Sequence, residues 1–339
     1  MVKVEGIDRN KLPPRKVLWT FVSLLVSISL VVYLCRYVDL RRFGAMLKGV
    51  PLWVPIANLG IYLLLNFWRV LRIRVLLNQA DMPVKVLFPV VLYYNFIART
   101  LPFMTGEVSY VFLIKRYLGR RLSEGVSSLG VARMFDLLVT ILGGIIITIG
   151  FGMQRTGVSA SLIVILSCLL AGMSLGMYFA GFLITVTIRV WKGLSVAGRL
   201  RQFQAVKRIE ETLAEMPAQV ELLRQPVLLG KVFGLSILIF ASNLGFDLLL
   251  LRAIGVSQSL VSLVIAAIIV MITSWFPISL SGFGMIEGSW AMALTWLTGM
   301  QLEQSTPIGF FLHSGQVIAY VLTGLMGMVF LVRTGSRQM

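Results

Sequence analysis

Six ionisable side chains fall within stretches of sequence that are otherwise apolar enough for the interior of a lipid bilayer. They are Arg99, Glu107, Arg133, Asp136, Asp247 and Glu287. A charge at the centre of a membrane helix costs roughly 2.5–3.5 kcal/mol, and six unpaired charges would exceed a typical folding stability of about 5–15 kcal/mol. We therefore predict that these side chains pair with one another, face a hydrated cavity, or do both.

The spacing of these residues indicates which ion pairs are available locally. Arg133 and Asp136 are three residues apart on one predicted helix, so they share a face and can pair. Arg99 and Glu107 are close enough in sequence to neutralise one another, which leaves the other two acids to find partners across the bundle. The Arg133–Asp136 pair is explained equally well by a structural clasp between helices and by contact with a substrate.

Arg99 lies shortly before a helix break at Pro102, and Asn95 is one turn earlier on the same face. A guanidinium at such a break is suited to bidentate contact with a phosphate, and the free N–H groups of a helix N-terminus add to that attraction. A second break, at 276–287, offers hydroxyl groups and bare backbone to the same ligand. These positions are Ser279, Ser281, Gly282 and Gly284. Close helix packing explains the glycines equally well.

The acidic residues have alternative roles that the sequence leaves open. Glu107 and Glu287 each follow shortly after a glycine, in the first turn of a predicted half-helix, where the helix dipole stabilises a carboxylate by about 0.3–1 kcal/mol. A capping role therefore competes with charge balance or proton coupling for both. Asp247 is either a protonation site or a buried hydrogen-bonding group. His313, the only histidine, fits an interhelical donor better than a proton relay.

Composition sets the class of protein that must position these residues. Hydrophobic residues make up 58% of the chain and charged residues only 13%, whereas soluble domains carry about 25% charged residues. This predicts an all-α polytopic integral membrane protein. The net charge of +17 comes from bases at the ends of apolar runs, which favours anionic membrane lipids over nucleic acid as the partner. Cys35 and Cys168 fall in apolar runs, so we expect no disulfide and no metal site. No phosphate-binding loop is present, so we expect no cofactor.

The apolar runs predict about eight transmembrane helices and one re-entrant segment. The predicted spans are 17–35, 51–68, 125–152, 161–188, 232–251, 259–276, 286–300 and 308–332, and the re-entrant segment is 86–114. Arg69, Arg72 and Arg74 end the second span and, with Lys85, indicate a cytoplasmic loop. This topology places both termini in the cytoplasm, although a basic cluster between 36 and 48 then lies outside.

We expect one membrane domain over residues 1–339. A cytoplasmic N-terminus, 1–16, precedes a first helical half, 17–188, that contains the broken segment 86–114. The polar stretch 189–226 has apolar residues at three- and four-residue intervals, which predicts an amphipathic helix on the cytoplasmic interface. The second half, 227–332, contains the broken segment 276–287. The order of broken and acid-bearing segments in the two halves suits an inverted repeat.

Three blocks of sequence, 94–107, 131–138 and 277–287, resemble those of a known family. They contain an Asn, a Leu-Pro and a Gly-Glu; an Arg-x-x-Asp; and a Pro-x-Ser-x-x-Gly-x-Gly-x-x-Glu. This order resembles the lysylphosphatidylglycerol synthase transmembrane family, although Phe103-Met104 replaces a pair that is often more polar. Nothing in the chain resembles the soluble aminoacyl-transferase domain of the full-length synthases. The resemblance implies a flippase-like module rather than a lipid-modifying enzyme.

These observations predict a lipid translocator of the cytoplasmic membrane of a prokaryote. An anionic phospholipid or polyprenyl-phosphate headgroup would cross through a polar cavity between the broken segments, with its phosphate held by Arg99 and Arg133. Glu107, Asp136 and Glu287 would balance these arginines or contact a cationic or hydroxylated headgroup. An integral-membrane transferase acting on a lipid-linked donor is the alternative. A partner of a separate lipid-modifying enzyme, or a homo-oligomer, also remains open.

Overall fold

The computed structural model is helical throughout the part of the chain it describes. Those residues are 28–38, 40–78, 82–100, 105–152, 163–172, 225–276 and 279–335, together with 175, 179, 186, 190, 211, 212 and 215. Within them every regular element is a helix and no strand is present, which confirms the predicted all-α class. The predicted N-terminus 1–16, most of the interface helix 189–226 and most of the span 161–188 lie outside the described residues.

Four helices are long and apolar enough to cross a membrane. They are α2 (Trp53–Leu76), α5 (Leu122–Ile147, continued by a π-helical turn, Thr148–Gly152), α6 (Pro226–Ala253) and α9 (Leu302–Gly335), and a short helix α1 (Leu40–Gly49) precedes them. The shortest of the four has 24 residues and reaches about 36 Å, which exceeds the roughly 30 Å of a bilayer core. The predicted count of eight spans is therefore not established by the described residues.

Helix α2 continues beyond the point where the sequence predicted its end. The second span was predicted to stop at Trp68, but α2 runs to Leu76, so Arg69 and Arg72 lie two turns and one turn before its end. The side chain of Arg72 is only 4% exposed. The assignment of these two arginines to a cytoplasmic loop was wrong, because basic residues that face the protein interior look like a helix end in sequence.

The first broken segment, which the sequence predicted to be re-entrant, forms a pair of packed helices that we call the first hairpin. Its arms are α3 (Val84–Thr100) and α4 (Thr105–Leu118), which pack side by side. At about 1.5 Å per residue they reach roughly 26 and 21 Å, which is less than the roughly 30 Å of a bilayer core. Gly106 makes the close approach possible, because a Cβ atom there would lie 2.0 Å from the Cα of Ala98.

The second broken segment forms another hairpin, where the sequence predicted two separate spans, 259–276 and 286–300. Its arms are α7 (Leu260–Thr273) and α8 (Met285–Thr298), each about 21 Å long. Between them Ser281, Gly282 and Gly284 have positive φ values of 56°, 82° and 81°, and these reverse the chain. Glycine adopts such values without strain, whereas Ser281 does so at a cost.

The two hairpins enter from opposite ends of the bundle. The end of α2 and the start of α6 line one groove, so the α3–α4 hairpin that follows α2 begins at that end. The loop after α6 and the start of α9 line a pocket at the other end, from which the α7–α8 hairpin begins. The hairpin tips meet within the bundle, where the Ser281 hydroxyl donates a hydrogen bond to the Arg99 carbonyl. This antiparallel arrangement is the one an inverted repeat requires.

Helix α9 packs against both hairpins through small residues. A Cβ atom on Gly324 would lie 2.1 Å from the Cβ of Phe96 on α3, and one on Gly309 would lie 2.6 Å from the carbonyl oxygen of Glu287 on α8. Such glycines let membrane helices approach closely. Because α9 touches both hairpins, its position is coupled to the position of each tip.

Candidate functional site

Two adjoining cavities lie where the hairpin tips meet the long helices. Their volumes are about 60 and 90 Å³, and both are lined by Arg69, Arg99, Asn243, Met271 and Ser274. We call the two cavities together the chamber. A water molecule needs roughly 10–15 Å³ of cavity volume, so the chamber admits several waters.

Arg99 lies on the wall of both cavities at the end of α3. Its side chain is half-buried, and its guanidinium makes no hydrogen bond or ion pair with any residue that the structure describes. Only its backbone carbonyl is engaged, by Ser281. All the donors of this guanidinium are therefore available to a ligand in the chamber.

Arg69 is a second cavity arginine, and the sequence analysis missed it. Its guanidinium donates to the side-chain oxygens of Asn95, at 3.2 Å, and Asn66, at 3.5 Å. Asn95 in turn donates to Asn66 at 2.6 Å, so the predicted ligand residue Asn95 orients Arg69. Neither partner carries a charge, so Arg69 forms no ion pair with a residue that the structure describes. The signal for this face was present in sequence, because Asn66, Arg69 and Arg72 recur every three residues.

Arg72 and Asp136 form a bidentate ion pair between α2 and α5. One of the two hydrogen bonds measures 3.0 Å, and Arg72 also donates to the hydroxyl of Ser236 on α6 at 2.9 Å. The predicted pairing of Asp136 with Arg133 on its own helix was wrong. Arg133 and Asp136 each pair with a residue of another helix instead. Because Arg72 of α2 contacts both Asp136 of α5 and Ser236 of α6, it connects three helices.

Arg133 pairs with Glu107, the acid in the first turn of α4. Tyr94 completes this group, because its hydroxyl accepts from Arg133 at 3.1 Å and donates to Glu107 at 2.9 Å. The ring of Trp275, at the tip of the second hairpin, lies 5.6 Å from the guanidinium carbon of Arg133. The predicted pairing of Glu107 with Arg99 was therefore wrong, and Arg133 is neutralised although it lines the chamber.

Asp247 is the acid that faces the chamber without a basic partner among the described residues. Its side chain is buried and accepts a hydrogen bond from Gln316 on α9 at 3.0 Å. The chamber wall therefore carries two arginines, Arg69 and Arg99, and one carboxylate that form no ion pair among the described residues. In a site of low dielectric this excess of positive charge favours an anionic ligand.

Glu287 does not reach this chamber. It is 1% exposed, and its carboxylate accepts from the backbone N–H of Gly284 at 2.8 Å and lies 2.8 Å from Nδ1 of His313. Glu287 thus caps the N-terminus of α8, which is the alternative role that the sequence left open. The expectation that Glu287 shares a chamber with Arg99 was wrong, because the cap and the histidine use both carboxylate oxygens.

The other predicted ligand residues build the hairpin tip and are absent from the lining of both cavities. Ser281 bonds to the Arg99 carbonyl and lies 3.1 Å from the hydroxyl of Tyr320. Gly284 packs against another segment, because a Cβ atom there would lie 2.3 Å from the Cβ of Leu30. Gly282 supplies the turn, and the buried hydroxyl of Ser279 has no hydrogen-bond partner among the described residues.

Among the residues described, no three His, Cys, Asp or Glu side chains come together as metal ligands would. A family model, the lysylphosphatidylglycerol synthase TM region, matches residues 20–324. No curated protein and no solved structure matches the chain. The match spans the three sequence blocks, both hairpins and every residue of the chamber. The chain therefore belongs to the lysylphosphatidylglycerol synthase transmembrane family.

Proposed function

We propose that this multi-pass membrane protein moves the headgroup of an anionic lipid between the two leaflets of the bilayer. The observation that carries the proposal is the pair of arginines, Arg69 and Arg99, that face the chamber without acidic partners. Uncompensated charge at this depth is costly, and it persists where a ligand of opposite charge is bound during function. The relation of the family to lipid metabolism or transport supports the same conclusion.

The proposed ligand group is a phosphate. Two guanidinium groups offer planar forks of donors that match phosphate oxygens, and Asn95 and Asn66 already hold one of them in place. Arg133, which the sequence assigned to the phosphate, lines the same chamber but is occupied by Glu107. Arg133 contributes to the electrostatic field in the chamber and does not make the first contact with the lipid.

Asp247 would receive the polar part of the headgroup beyond the phosphate. Its carboxylate accepts one hydrogen bond from Gln316, so it retains acceptor capacity for a hydroxyl or ammonium group. A phosphatidylglycerol derivative offers both a phosphate and such groups, and membership of the lysylphosphatidylglycerol synthase transmembrane family supports this substrate class. A polyprenyl phosphate offers the phosphate alone and would leave Asp247 without a ligand.

Translocation requires the hairpin tips to separate and rejoin. In the arrangement that the structure shows, the Ser281–Arg99 contact bridges the two tips. Hairpins that begin at opposite ends could open the chamber to one leaflet at a time, while acyl chains stay in the bilayer.

The described basic residues at the end of the bundle from which the first hairpin enters define what we call the basic face. They are Arg74, Lys85, Lys115, Arg116, Arg120, Arg121, Lys231 and Arg333. Loops rich in lysine and arginine remain in the cytoplasm. We therefore orient the basic face toward the cytoplasm of a prokaryotic cell, so that the first hairpin enters from the inner leaflet and the second from the outer leaflet.

Reconstituted vesicles test the proposal directly. The protein is inserted into vesicles that contain a trace of fluorescent phosphatidylglycerol, and the fraction of label reachable by an impermeant quencher is followed over time. Replacing Arg69 or Arg99 with alanine should abolish protein-dependent exchange, whereas Lys115→Ala, an exposed base on the basic face, should not. Unchanged exchange in both arginine variants would refute the assignment. Mass spectrometry of the same lipids identifies a transferase if the lipid mass changes.

A further inference from the structure

A second lipid-sized concavity lies on the membrane surface of the bundle at the basic face. It is a groove of about 920 Å³ between the end of α2 and the start of α6, and none of its lining residues lines the chamber. Helix α2 divides its residues between the two sites. Arg69 lines the chamber and Arg72 pairs with Asp136 of the chamber wall, whereas Leu71 and Arg74 line the groove.

The end of the groove nearest the basic face is rich in hydrogen-bond donors. Arg74 and Lys231 lie on opposite helices of the groove. The N-terminus of α6 also opens into it, and Gln225, the N-cap residue, makes no side-chain capping bond. Val227 and Leu228 are in this first turn and line the groove, so the positive end of the helix dipole adds to the attraction of the two bases for an anion.

The remainder of the groove is apolar. Leu71 and Val75 form its wall on α2, and Leu235 and Leu238 form its wall on α6. Gly234 forms part of the wall, and no atom lies within 4 Å of the position that its Cβ would occupy. A cationic end joined to a long apolar trough matches the phosphate and an acyl chain of one phospholipid.

We propose that this groove is a binding site for one anionic phospholipid of the leaflet at the basic face, distinct from the lipid that passes through the chamber. Arg74, Lys231 and the first turn of α6 bind its phosphate, and an acyl chain occupies the trough. The site requires only that the chain be embedded in a bilayer. The binding proposal is therefore tested independently of the translocation proposal.

Native mass spectrometry of the delipidated full-length protein, titrated with phosphatidylglycerol, measures this binding. Removing a base near an anionic lipid weakens binding about fivefold, so Arg74→Ala combined with Lys231→Ala should weaken one phosphatidylglycerol adduct by roughly twenty-five-fold. Lys115→Ala should leave that adduct unchanged. Titration with phosphatidylcholine, which carries no net charge, should give weaker binding that does not respond to the two substitutions.

A second variant, which keeps the charges of Arg74 and Lys231, distinguishes loss of lipid binding from loss of folding. Gly234→Leu places a side chain in the trough, where the space is open, and should displace the lipid while improving the intrinsic helix propensity of α6. Gly230→Leu makes the same change one turn earlier, outside the groove, and should have no effect on the adduct. If that one phosphatidylglycerol adduct kept its native strength in Gly234→Leu, or formed equally well with the two lipids, the proposal would be overturned. A groove that binds no added lipid because the chain preceding Gln225 covers it would also overturn the proposal.

Discussion

The hydroxyl of Ser281 donates a hydrogen bond to the backbone carbonyl of Arg99, and this bond joins the tips of two hairpins that begin at opposite ends of the bundle. The residues are 182 positions apart in sequence. Because the bond uses the carbonyl of Arg99, it fixes the end of α3 while leaving the guanidinium free to face the chamber. Closure of the tips and placement of the proposed phosphate ligand therefore depend on the same contact.

Removing the Ser281 hydroxyl should make the chamber open more readily. Ser281→Ala deletes a bond worth about 0.5–1.5 kcal/mol, so we expect lipid exchange in vesicles to become faster by roughly 2- to 10-fold. Ser279→Ala is the matched control, since that hydroxyl lies in the same tip and has no partner among the described residues. Slower exchange in Ser281→Ala would mean that the tip contact belongs to the open state rather than to the closed one.

The arginines in this region should separate into structural and ligand-facing classes by their effect on stability. Arg72→Ala leaves the partly buried Asp136 without its counter-charge, and breaking such a pair costs at most about 3–5 kcal/mol, the value for a fully buried pair. Arg99→Ala removes no ion pair and should change the unfolding temperature in detergent little while abolishing exchange. The double variant Arg72→Ala/Asp136→Ala should recover part of the lost stability. Equal destabilisation by Arg72→Ala and Arg99→Ala would contradict this division.

The elements of the fold were largely readable from sequence, but the ion pairs were not. Helix breakers at Pro102 and near Gly282 located both hairpins, because proline and glycine interrupt helices whatever surrounds them. Residue spacing predicted that Arg133 would pair with Asp136, yet each pairs with another helix. Spacing shows which side chains share a face, whereas a partner across the bundle depends on how helices rotate and cross, which one sequence does not encode locally.

Arg69 shows why the missing residue of the proposed site was hard to find. Topology rules assign clustered basic residues to the cytoplasmic ends of helices, and Arg74 and Lys85 do lie at helix ends, in the last turn of α2 and the first turn of α3. Arg69 lies in the same cluster but two turns inside α2, against Asn95 of the first hairpin. In the sequence, only the three-residue repeat from Asn66 to Arg72 indicates that these residues form an inward polar face of the helix and not the end of the helix.

Glu287 should behave as a cap and not as a ligand. Glu287→Ala removes the acceptor for the Gly284 N–H and leaves His313 buried without its partner, at a cost of about 1–3 kcal/mol for each unsatisfied group. Glu287→Gln keeps an oxygen for the N–H and should cost much less. Hydrogen exchange over 279–290 should rise in the alanine variant and stay near the native level in the glutamine variant. Loss of lipid exchange without any change in that segment would restore a direct role for Glu287.

Asp247 should determine which headgroups the chamber accepts. Asp247→Asn preserves an oxygen for the hydrogen bond from Gln316 but removes the one uncompensated carboxylate facing Arg69 and Arg99. The chamber then becomes more positive, so vesicles should exchange phosphatidylglycerol at least as fast as before. Exchange of a lysyl ester of the same lipid should slow by about 10-fold, because its ammonium groups lose a counter-charge worth about 1–2 kcal/mol in a partly desolvated site. Glu303→Gln, at the start of α9 and outside the chamber, is the control. If both lipids slowed equally in Asp247→Asn, the carboxylate would serve the opening of the chamber instead of the choice of headgroup.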